Sequence, residues 1–250
     1  MSGHVVASDL VHTFGPVAAL GGVSFEALPG QCLCIIGPTG CGKSTVLRIL
    51  AGLIAPSAGT VTIDALAPSP RHPRGAYMPQ ADTLLPWRRA LDNATLGAQI
   101  RGEQLPSATA RARELFTRFG LEGFERAWPH ELSGGMRQRV ALLRTVIADL
   151  PVLLLDEPFG ALDAITRNAL QGWLADVLAS TGRTSVLVTH DIDEALRLAD
   201  QIVVMGARPG RVLATLAPPT ARPRSASTIT QPEFATLKRE ILRLLTPALQ

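Results

Sequence analysis

A glycine-rich loop at residues 37–44 is the feature that most constrains what this chain can fold into. It reads Gly-Pro-Thr-Gly-Cys-Gly-Lys-Ser and follows the almost continuously apolar run 32–36. After the loop, apolar residues recur at helical spacing over residues 46–53. A buried strand, a flexible loop and a helix therefore follow one another. In this arrangement, backbone N–H groups and a helix N-terminus can cradle a phosphate.

The side chains of this loop carry the chemistry of nucleotide binding. Lys43 can reach the β- and γ-phosphates of a nucleoside triphosphate, and the Ser44 hydroxyl can bind Mg²⁺. Because Cys41 lies within the loop, we expect bound ATP to slow alkylation of its thiol. A chance match in a glycine-rich chain is the alternative, and the flanking strand and helix argue against it.

Two acidic residues end a second apolar run, at residues 152–157. A buried strand that ends in Asp156 and Glu157 is a poor choice without a cation nearby, because burying charge is costly. Asp156 can bind Mg²⁺ through water, and Glu157 can polarise an attacking water molecule. The alternative is a strand that simply ends at a solvated acidic turn, which the upstream loop makes the minor interpretation.

The segment 132–139, Leu-Ser-Gly-Gly-Met-Arg-Gln-Arg, predicts a second anion site. Ser133 is a good N-cap for the following helix. Its hydroxyl, the glycine amides and the helix N-terminus would be presented to an anion together. The alternative interpretation is an ordinary capped helix after a glycine turn.

The rest of the chain predicts an α/β fold with a mostly parallel sheet covered by helices on both faces. Predicted strands are 5–11, 23–28, 31–36, 59–64, 76–78, 152–156, 185–189 and 201–205. Predicted helices include 108–119, 164–179 and 193–199, and a terminal helix carries a stripe of Phe234, Leu237, Ile241 and Leu244. Residues 91–147 indicate a helical insert, and residues 217–232 a linker or surface loop.

Composition restricts the function classes. The net charge is only +3 and the 24 basic residues are scattered, so charge gives no indication of a nucleic-acid partner. No stretch approaches about 18 uninterrupted apolar residues, and the N-terminus lacks a signal-peptide pattern. If the protein works at a membrane, we therefore expect another subunit to supply the membrane-spanning segments. Cys32, Cys34 and Cys41 are expected to be reduced, buried thiols.

The three motifs, in this order and at these intervals, resemble the ATP-binding subunit of an ABC transporter over nearly the whole chain. The resemblance implies a P-loop NTPase (ABC ATPase) core with an N-terminal antiparallel β subdomain and a helical subdomain insert. It assigns residues 1–220 to the ATPase domain, with the helical subdomain at about 88–148. Residues 221–250 form a C-terminal extension with a terminal helix.

The resemblance also implies site residues. The catalytic set is Glu157 as general base, His190 as a γ-phosphate contact and Gln80 as a sensor of Mg²⁺ and the attacking water. Phe14 would stack on adenine where a tyrosine is commoner, and Asp163 would communicate across a dimer. ATP would be bound by Phe14, Gly37, Pro38, Thr39, Gly40, Cys41, Gly42, Lys43, Ser44, Thr45, Ser133, Gly134, Gly135 and Asp163. Mg²⁺ would be bound by Ser44, Gln80 and Asp156.

In such a protein, two copies pack head to tail with two ATP molecules between them, and each P-loop faces the other copy's Ser133 and Gly135. The partners implied are a second copy, transmembrane permease subunits and, indirectly, a solute-binding protein, with no nucleic acid. The implied location is the cytoplasmic face of the inner (plasma) membrane, as a peripheral subunit. A groove beside Gln80 and the helical insert would face the permease.

Residues 84–88, 92–93, 156–163 and 206–211 resemble the nitrate/sulfonate/taurine/bicarbonate importer group, relatives of which also carry thiamine precursors. Trp87 is either an interface anchor or a packing residue of the helical insert. The alternative function is a non-transport ABC ATPase of DNA repair or translation. The first would carry a long coiled-coil insert and the second usually two ATPase modules, and neither is present here.

Overall fold

The computed structural model describes residues 3–246, and its strands form two sheets. Residues 1–2 and 247–250, at the ends of the predicted ATPase domain and C-terminal extension, lie outside the described residues. The strands are β1 (Val5–Phe14), β2 (Val17–Ala27), β3 (Cys32–Ile36), β4 (Ala58–Ile63), β5 (Gly75–Met78), β6 (Val152–Asp156), β7 (Thr184–Thr189), β8 (Gln201–Met205) and β9 (Val212–Leu216). The helices are α1 (Lys43–Leu50), α2 (Ala90–Ala94), α3 (Leu96–Ile100), α4 (Leu105–Arg118), α5 (Gly134–Ile147), α6 (Ala164–Thr181), α7 (Ile192–Leu198) and α8 (Pro232–Leu245), with short 3-10 turns at Pro129–Glu131 and Thr228–Thr230.

The smaller sheet corresponds to the N-terminal antiparallel β subdomain that the family resemblance implies, and the larger sheet to the predicted mostly parallel sheet. The antiparallel sheet has the order β2-β1-β4, and the larger sheet has the order β5-β6-β7-β3-β8-β9. All pairings in the larger sheet are parallel except β8 with β9. The fold is therefore the α/β P-loop core with an antiparallel β subdomain, as predicted.

The parallel sheet is buried on both faces, which explains the apolar run that precedes the loop. Along β3, Cys32, Cys34 and Ile36 belong to the core shared with the helices α4 to α8. The alternate residues Leu33 and Ile35 belong to the second core, between the two sheets and α1. Each Leu or Ile side chain buried in this way contributes about 1.5–3 kcal/mol relative to an exposed one.

The helical insert lies between β5 and β6 in the chain and packs against the same core. Ala108, Ala112 and Phe116 form the buried stripe of α4. The Phe119 ring stacks edge-on against Trp173 of α6, with 4.4 Å between ring centroids. The end of α4 in the insert therefore packs against α6.

Some sequence predictions of individual elements were wrong or incomplete. Strand β1 extends to Phe14 and strand β2 begins at Val17, so the two form a hairpin, whereas the sequence predicted separate, shorter strands. Strand β9 was missed, and it pairs with β8 as an antiparallel edge strand. In the segment predicted as a linker or surface loop, Arg224 is buried and donates to the carbonyls of Leu196 and Ala199. None of the helices in residues 3–246 is long and apolar enough to cross a membrane.

Candidate functional site

The carboxyl ends of four neighbouring parallel strands bring the candidate site together. The glycine-rich loop follows β3, Asp156 ends β6, and His190 follows β7. Gln80 lies two residues after β5. Because β5, β6, β7 and β3 are adjacent in the sheet, residues up to 153 positions apart in the chain meet at one edge, where open α/β sheets bind ligands.

The glycine-rich loop is tightly wound and opens onto the first turn of α1. Gly40 and Gly42 have φ values of 80° and 97°, a region that L-residues other than glycine rarely adopt. No side chain caps the first turn of α1, and that turn contains no acidic residue. The Lys43 ammonium donates to the carbonyls of Gly37 at 2.8 Å and Pro38 at 2.9 Å. The uncapped helix end and the lysine fit an anionic phosphate.

The loop borders a cleft of about 400 Å³. Ten of the sequence-predicted site residues line it: Phe14, Thr39, Gly40, Gly42, Lys43, Ser44, Thr45, Gln80, Glu157 and His190. Phe14 stands at the tip of the β1–β2 hairpin, 46% exposed, with its ring edge-on to His12. The cleft lining therefore combines an aromatic ring, the glycine-rich loop and the carboxylate-bearing residue Glu157.

Cys41 is a free, buried thiol, as the sequence predicted, and its side chain is not among those that line the cleft. Its side chain is 1% exposed and belongs to the core between the two sheets. Burial raises the pKa of the Cys41 thiol, against the opposing charge of Lys43. Because the thiol is both inaccessible and kept protonated by its surroundings, we expect slow alkylation with or without nucleotide, which replaces the expectation that ATP controls it.

Asp156 and Ser44 form the pair of oxygens expected for a divalent cation. The Ser44 hydroxyl donates to Asp156 Oδ1 at 3.1 Å, and Asp156 is 2% exposed. Burial raises the pKa of Asp156, and the charge of Glu157 raises it further, whereas the Ser44 hydrogen bond lowers it. A buried carboxylate and a hydroxyl are hard oxygen ligands, so these two residues fit Mg²⁺.

Glu157 is fixed from several sides. Gln80 Nε2 donates to Glu157 Oε2 at 3.1 Å, and His190 Nδ1 lies 3.3 Å from Oε1. The backbone of Glu157 has a φ of 49°, and its N–H and C=O are bonded to Val188 O and Gln138 Nε2. A left-handed glutamate stores about 1–3 kcal/mol of strain, and these bonds keep its carboxylate aimed at the cleft.

The segment with Ser133 lies outside the cleft. Ser133 caps α5 by accepting from Met136 N at 3.2 Å, and both Ser133 and Gly134 are exposed. A Cβ on Gly135 would lie 3.4 Å from Leu162 Cδ2, so this helix end packs on the loop that precedes Asp163. Asp163 is exposed and caps α6 by accepting from Ile165 N and Thr166 N. Within one chain, these predicted residues do not meet the P-loop.

Arg208 is a cleft residue that the sequence interpretation missed. It lies in the turn after β8, lines the cleft and donates from Nε to Gly40 O at 2.6 Å. The same turn approaches the loop so closely that a Cβ on Gly210 would lie 2.0 Å from Cys41 O. The segment 206–211 was noted for its resemblance to one importer group, but nothing in its local pattern indicated a contact with the loop.

Comparisons with known proteins agree with this geometry. Residues 20–160 match the family model described as ABC transporter. A taurine import ATP-binding protein of Pseudomonas aeruginosa is 43% identical over 231 residues, which cover 90% of this chain and 88% of the relative. An aliphatic sulfonates import ATP-binding protein of Rhodococcus jostii is 43% identical over 242 residues, covering 96% and 93%. An uncharacterized ABC transporter ATP-binding protein of Methanocaldococcus jannaschii is 42% identical over 230 residues, covering 92% and 85%.

Solved structures give the same fold. The dimeric structure of an ATP-binding cassette in a post-hydrolysis state, bound to ADP and Pi, superimposes with a TM-score of 0.79 at 29% identity. The match covers 87% of this chain and 100% of that one. A second dimeric structure, of a bacterial ABC transporter cassette, gives a TM-score of 0.78 at 28% identity.

Proposed function

The chain belongs to the ABC transporter family as an ATP-hydrolysing, ATP-binding subunit, and from this premise we propose that it powers an importer of small sulfonate-type solutes. The observation that carries the ATPase half of this proposal is the convergence of Lys43, Glu157, Gln80 and His190 on one cleft. The importer half rests on the relatives, whose names specify taurine and aliphatic sulfonates.

The proposed mechanism assigns each cleft residue a task. Phe14 stacks on adenine, and the loop from Gly37 to Ser44, with Thr45, binds the phosphates through backbone N–H groups and Lys43. Glu157, whose carboxylate is held in place by Gln80 and His190, accepts a proton from the attacking water. Ser44, Asp156 and Gln80 would hold Mg²⁺, which would neutralise charge on the phosphate oxygens when bound. Catalysis then depends mainly on positioning.

A second copy of the chain completes each site in this proposal. Ser133, Gly134 and Gly135 lie outside their own cleft, at an exposed helix end that suits an anion. In a head-to-tail dimer they would face the γ-phosphate bound by the partner's loop. The dimeric cassettes among the similar structures support such an assembly.

A groove beside Gln80 is the proposed docking site for a transmembrane permease. It has a volume of about 410 Å³ and contains Leu53, Tyr77, Pro79, Thr83 and Ile100. Leu53 and Ile100 are 55% and 77% exposed, so an apolar partner helix would bury both. The chain would then work at the cytoplasmic face of the inner membrane, as a peripheral subunit, and receive solute indirectly from a solute-binding protein.

Trp87 is 70% exposed, which favours its role as an interface anchor over a packing role inside the helical insert. The relatives named above favour sulfonate or taurine import over the DNA-repair or translation alternative. Within the predicted importer group, they favour taurine and sulfonates over nitrate, bicarbonate or thiamine precursors.

Solute uptake by the native host tests the proposal. Cells lacking the gene should lose uptake of labelled taurine or an alkanesulfonate, and the wild-type gene should restore it. A Glu157→Gln copy should not restore uptake, because the general base is removed, whereas a copy with the exposed Glu122→Gln change should. Unaltered uptake of taurine, alkanesulfonates and the other solutes of the group in the deletion strain would disprove the importer function.

A further inference from the structure

Glu194 is a buried carboxyl that the mechanism above does not use. It lies on α7, four residues after His190, and is 4% exposed. Its Oε2 accepts a hydrogen bond from Thr189 Oγ1 at 3.2 Å, whereas its Oε1 is buried without a hydrogen-bond partner among the described residues. An ionised carboxylate in this position is costly, and a neutral carboxyl is much less so.

Thr189 connects this carboxyl to the histidine. Its hydroxyl donates to Glu194 and accepts from Asp191 N at 3.0 Å. The Asp191 carboxylate in turn accepts from the backbone N–H groups of Asp193 and Glu194. The peptide that follows His190 is therefore fixed by its bond to the Thr189 hydroxyl, and the next side chain, that of Asp191, is fixed by the first turn of α7.

A cavity of about 40 Å³ separates Glu194 from the catalytic carboxylate. Glu157, Thr189, His190 and Glu194 all line it. His190 reaches across to Glu157, with Nδ1 3.3 Å from Oε1. A small shift of the Thr189–Asp191 loop would therefore change the distance between His190 and Glu157.

We propose that Glu194 is a positioning residue whose neutral carboxyl holds Thr189 and thereby orients His190 toward Glu157 and the reacting phosphate. The inference rests on the proposed ATPase function. Ionised Glu194 would be repelled by the Asp191 carboxylate and attracted to Arg167, which also lines the cavity. Movement of the Glu194 carboxylate toward Arg167 would break its bond to Thr189 and release the loop that carries His190.

The surroundings of Glu194 set the pH at which this happens. The pKa of Glu194 is raised to about 8, mainly by burial and also by the charge of Asp191. The hydrogen bond from Thr189 and the charge of Arg167 oppose this rise. The titratable or charged groups that face it from the packed elements are Asp191, His190, Glu157, Arg167, Cys32 and Cys34. On its own helix, Asp193 is paired with Lys238, and Arg197 donates to Asn168 and Gln171.

The test is the pH profile of kcat for ATP hydrolysis by the full chain. In the wild type, kcat should fall about tenfold between pH 7 and pH 9, as a group with a pKa of about 8 loses its proton, while KM for ATP changes little. Glu194→Gln keeps an acceptor for Thr189 and cannot ionise. It should retain kcat at pH 7 and lose the alkaline fall. Asp193→Asn, which removes a neighbouring exposed charge, should keep the wild-type profile.

Two further measurements keep the inference testable if Glu194→Gln folds poorly. Thr189→Ser should preserve kcat, whereas Thr189→Val should lower it at pH 7 without a matching change in KM. In the protein without nucleotide, a carbon-13 glutamate carboxyl signal should titrate near pH 8. ATP hydrolysis with the same alkaline fall in Glu194→Gln, or equal activity of the two Thr189 variants, would overturn this inference alone. Absence of ATPase activity from the wild type at pH 7 would overturn the proposed function as well.

Discussion

At the scale of single residues, hydrogen bonds with neighbouring groups hold the side chains of the candidate site in position. Glu157 adopts a left-handed backbone conformation. Its N–H donates to Val188 O, and it accepts hydrogen bonds from Gln138 and Gln80. Lys43 is 7% exposed and bonded to its own loop. Such residues lose little conformational freedom when nucleotide binds, which favours tight positioning of the phosphates.

Replacement of Glu157 tests its role as general base. Glu157→Gln keeps the bond with Gln80 but cannot accept a proton, so kcat for ATP hydrolysis should fall about 10²–10⁴-fold while ATP binding persists. Steady-state kinetics and equilibrium ATP binding measure the two effects. Glu122→Gln, at an exposed position, serves as the control. Turnover in Glu157→Gln at the wild-type rate would remove Glu157 from the mechanism.

Arg208 is expected to support nucleotide binding rather than chemistry. Arg208→Ala removes the bond to Gly40 O and a positive charge from the cleft, so KM for ATP should rise about three- to tenfold with kcat within about twofold. Arg211→Ala, in the same turn but outside the cleft lining, is the matched control. Equal KM values for the two variants would show that Arg208 does not contribute to nucleotide binding.

At the scale of elements, helices and strands position the site by their ends. The N-termini of α1, α5 and α6 carry Lys43, Ser133 and Asp163, and the residues proposed as catalytic lie at or just after strand ends. The C-terminal segment also acts on an element end. The Arg224 guanidinium binds carbonyl oxygens at the C-terminus of α7, the helix that follows His190. The segment beyond β9 is therefore part of the support of the site.

Removal of the Arg224 side chain should destabilise the whole protein. Arg224→Ala leaves carbonyls of Leu196 and Ala199 without their partner, which costs about 1–3 kcal/mol. At about 2–4 °C per kcal/mol for a chain of this size, the melting temperature should fall by several degrees. Differential scanning calorimetry measures this, with the exposed Arg239→Ala as control. An unchanged melting temperature would show that other groups support this helix end.

The groove formed by the loop after β5 and the helical insert should be separable from catalysis. Ile100→Glu places a charge in its apolar wall, so association with the permease should be lost while ATP hydrolysis by the isolated chain stays within about twofold. Co-purification from membranes measures association. Leu242→Glu, on the exposed side of α8, is the control and should still associate. Permease binding by Ile100→Glu equal to that of the control would place the docking site elsewhere.

At the scale of the whole molecule, the two proposed anion-binding elements of the chain lie apart from each other. The cleft contains the P-loop, whereas Ser133 and Asp163 lie at exposed helix ends outside it. In the proposed head-to-tail dimer, each exposed end would face the partner's cleft, and closure would require ATP on both sides. Nucleotide binding and dimer formation are then thermodynamically linked.

The dimer can be tested with a variant that binds ATP but hydrolyses it slowly. Glu157→Gln should form a dimer when ATP is added, as measured by analytical ultracentrifugation. Adding Ser133→Arg should abolish that dimer, because a bulky cation replaces the hydroxyl at the interface, while each monomer still binds ATP. Ser107→Arg, at an exposed position on α4, should leave dimer formation intact. ATP-driven dimers in the Ser133→Arg double variant would contradict the head-to-tail arrangement.

Prediction from the sequence was strongest where neighbours along the chain decide the structure. The loop between β3 and α1 is specified by local glycines, and β6 and β8 match their predicted bounds because both are short apolar runs. Prediction was weaker where strand pairing determines the secondary structure. The half-exposed residues of β9 form a strand because they pair with β8 at the edge of the sheet. Prediction was incomplete for Cys41, because the reactivity expected from its position in the loop also depends on burial, and the side chain is 1% exposed.

The sequence by itself determined the loop, the acidic strand end, the second helix cap and hence the family, since each is a short motif whose backbone conformation its own residues impose. Only the tertiary structure decided that Gln80 and His190 meet Glu157, that Arg208 reaches Gly40, and that Glu194 reaches Thr189 behind the histidine. Most of these contacts join residues far apart in the chain, and the order of strands in the parallel sheet brings them together. The Glu194–Thr189 bond is local in the chain. The burial of Glu194, which favours its neutral carboxyl, is decided by the packing of the core.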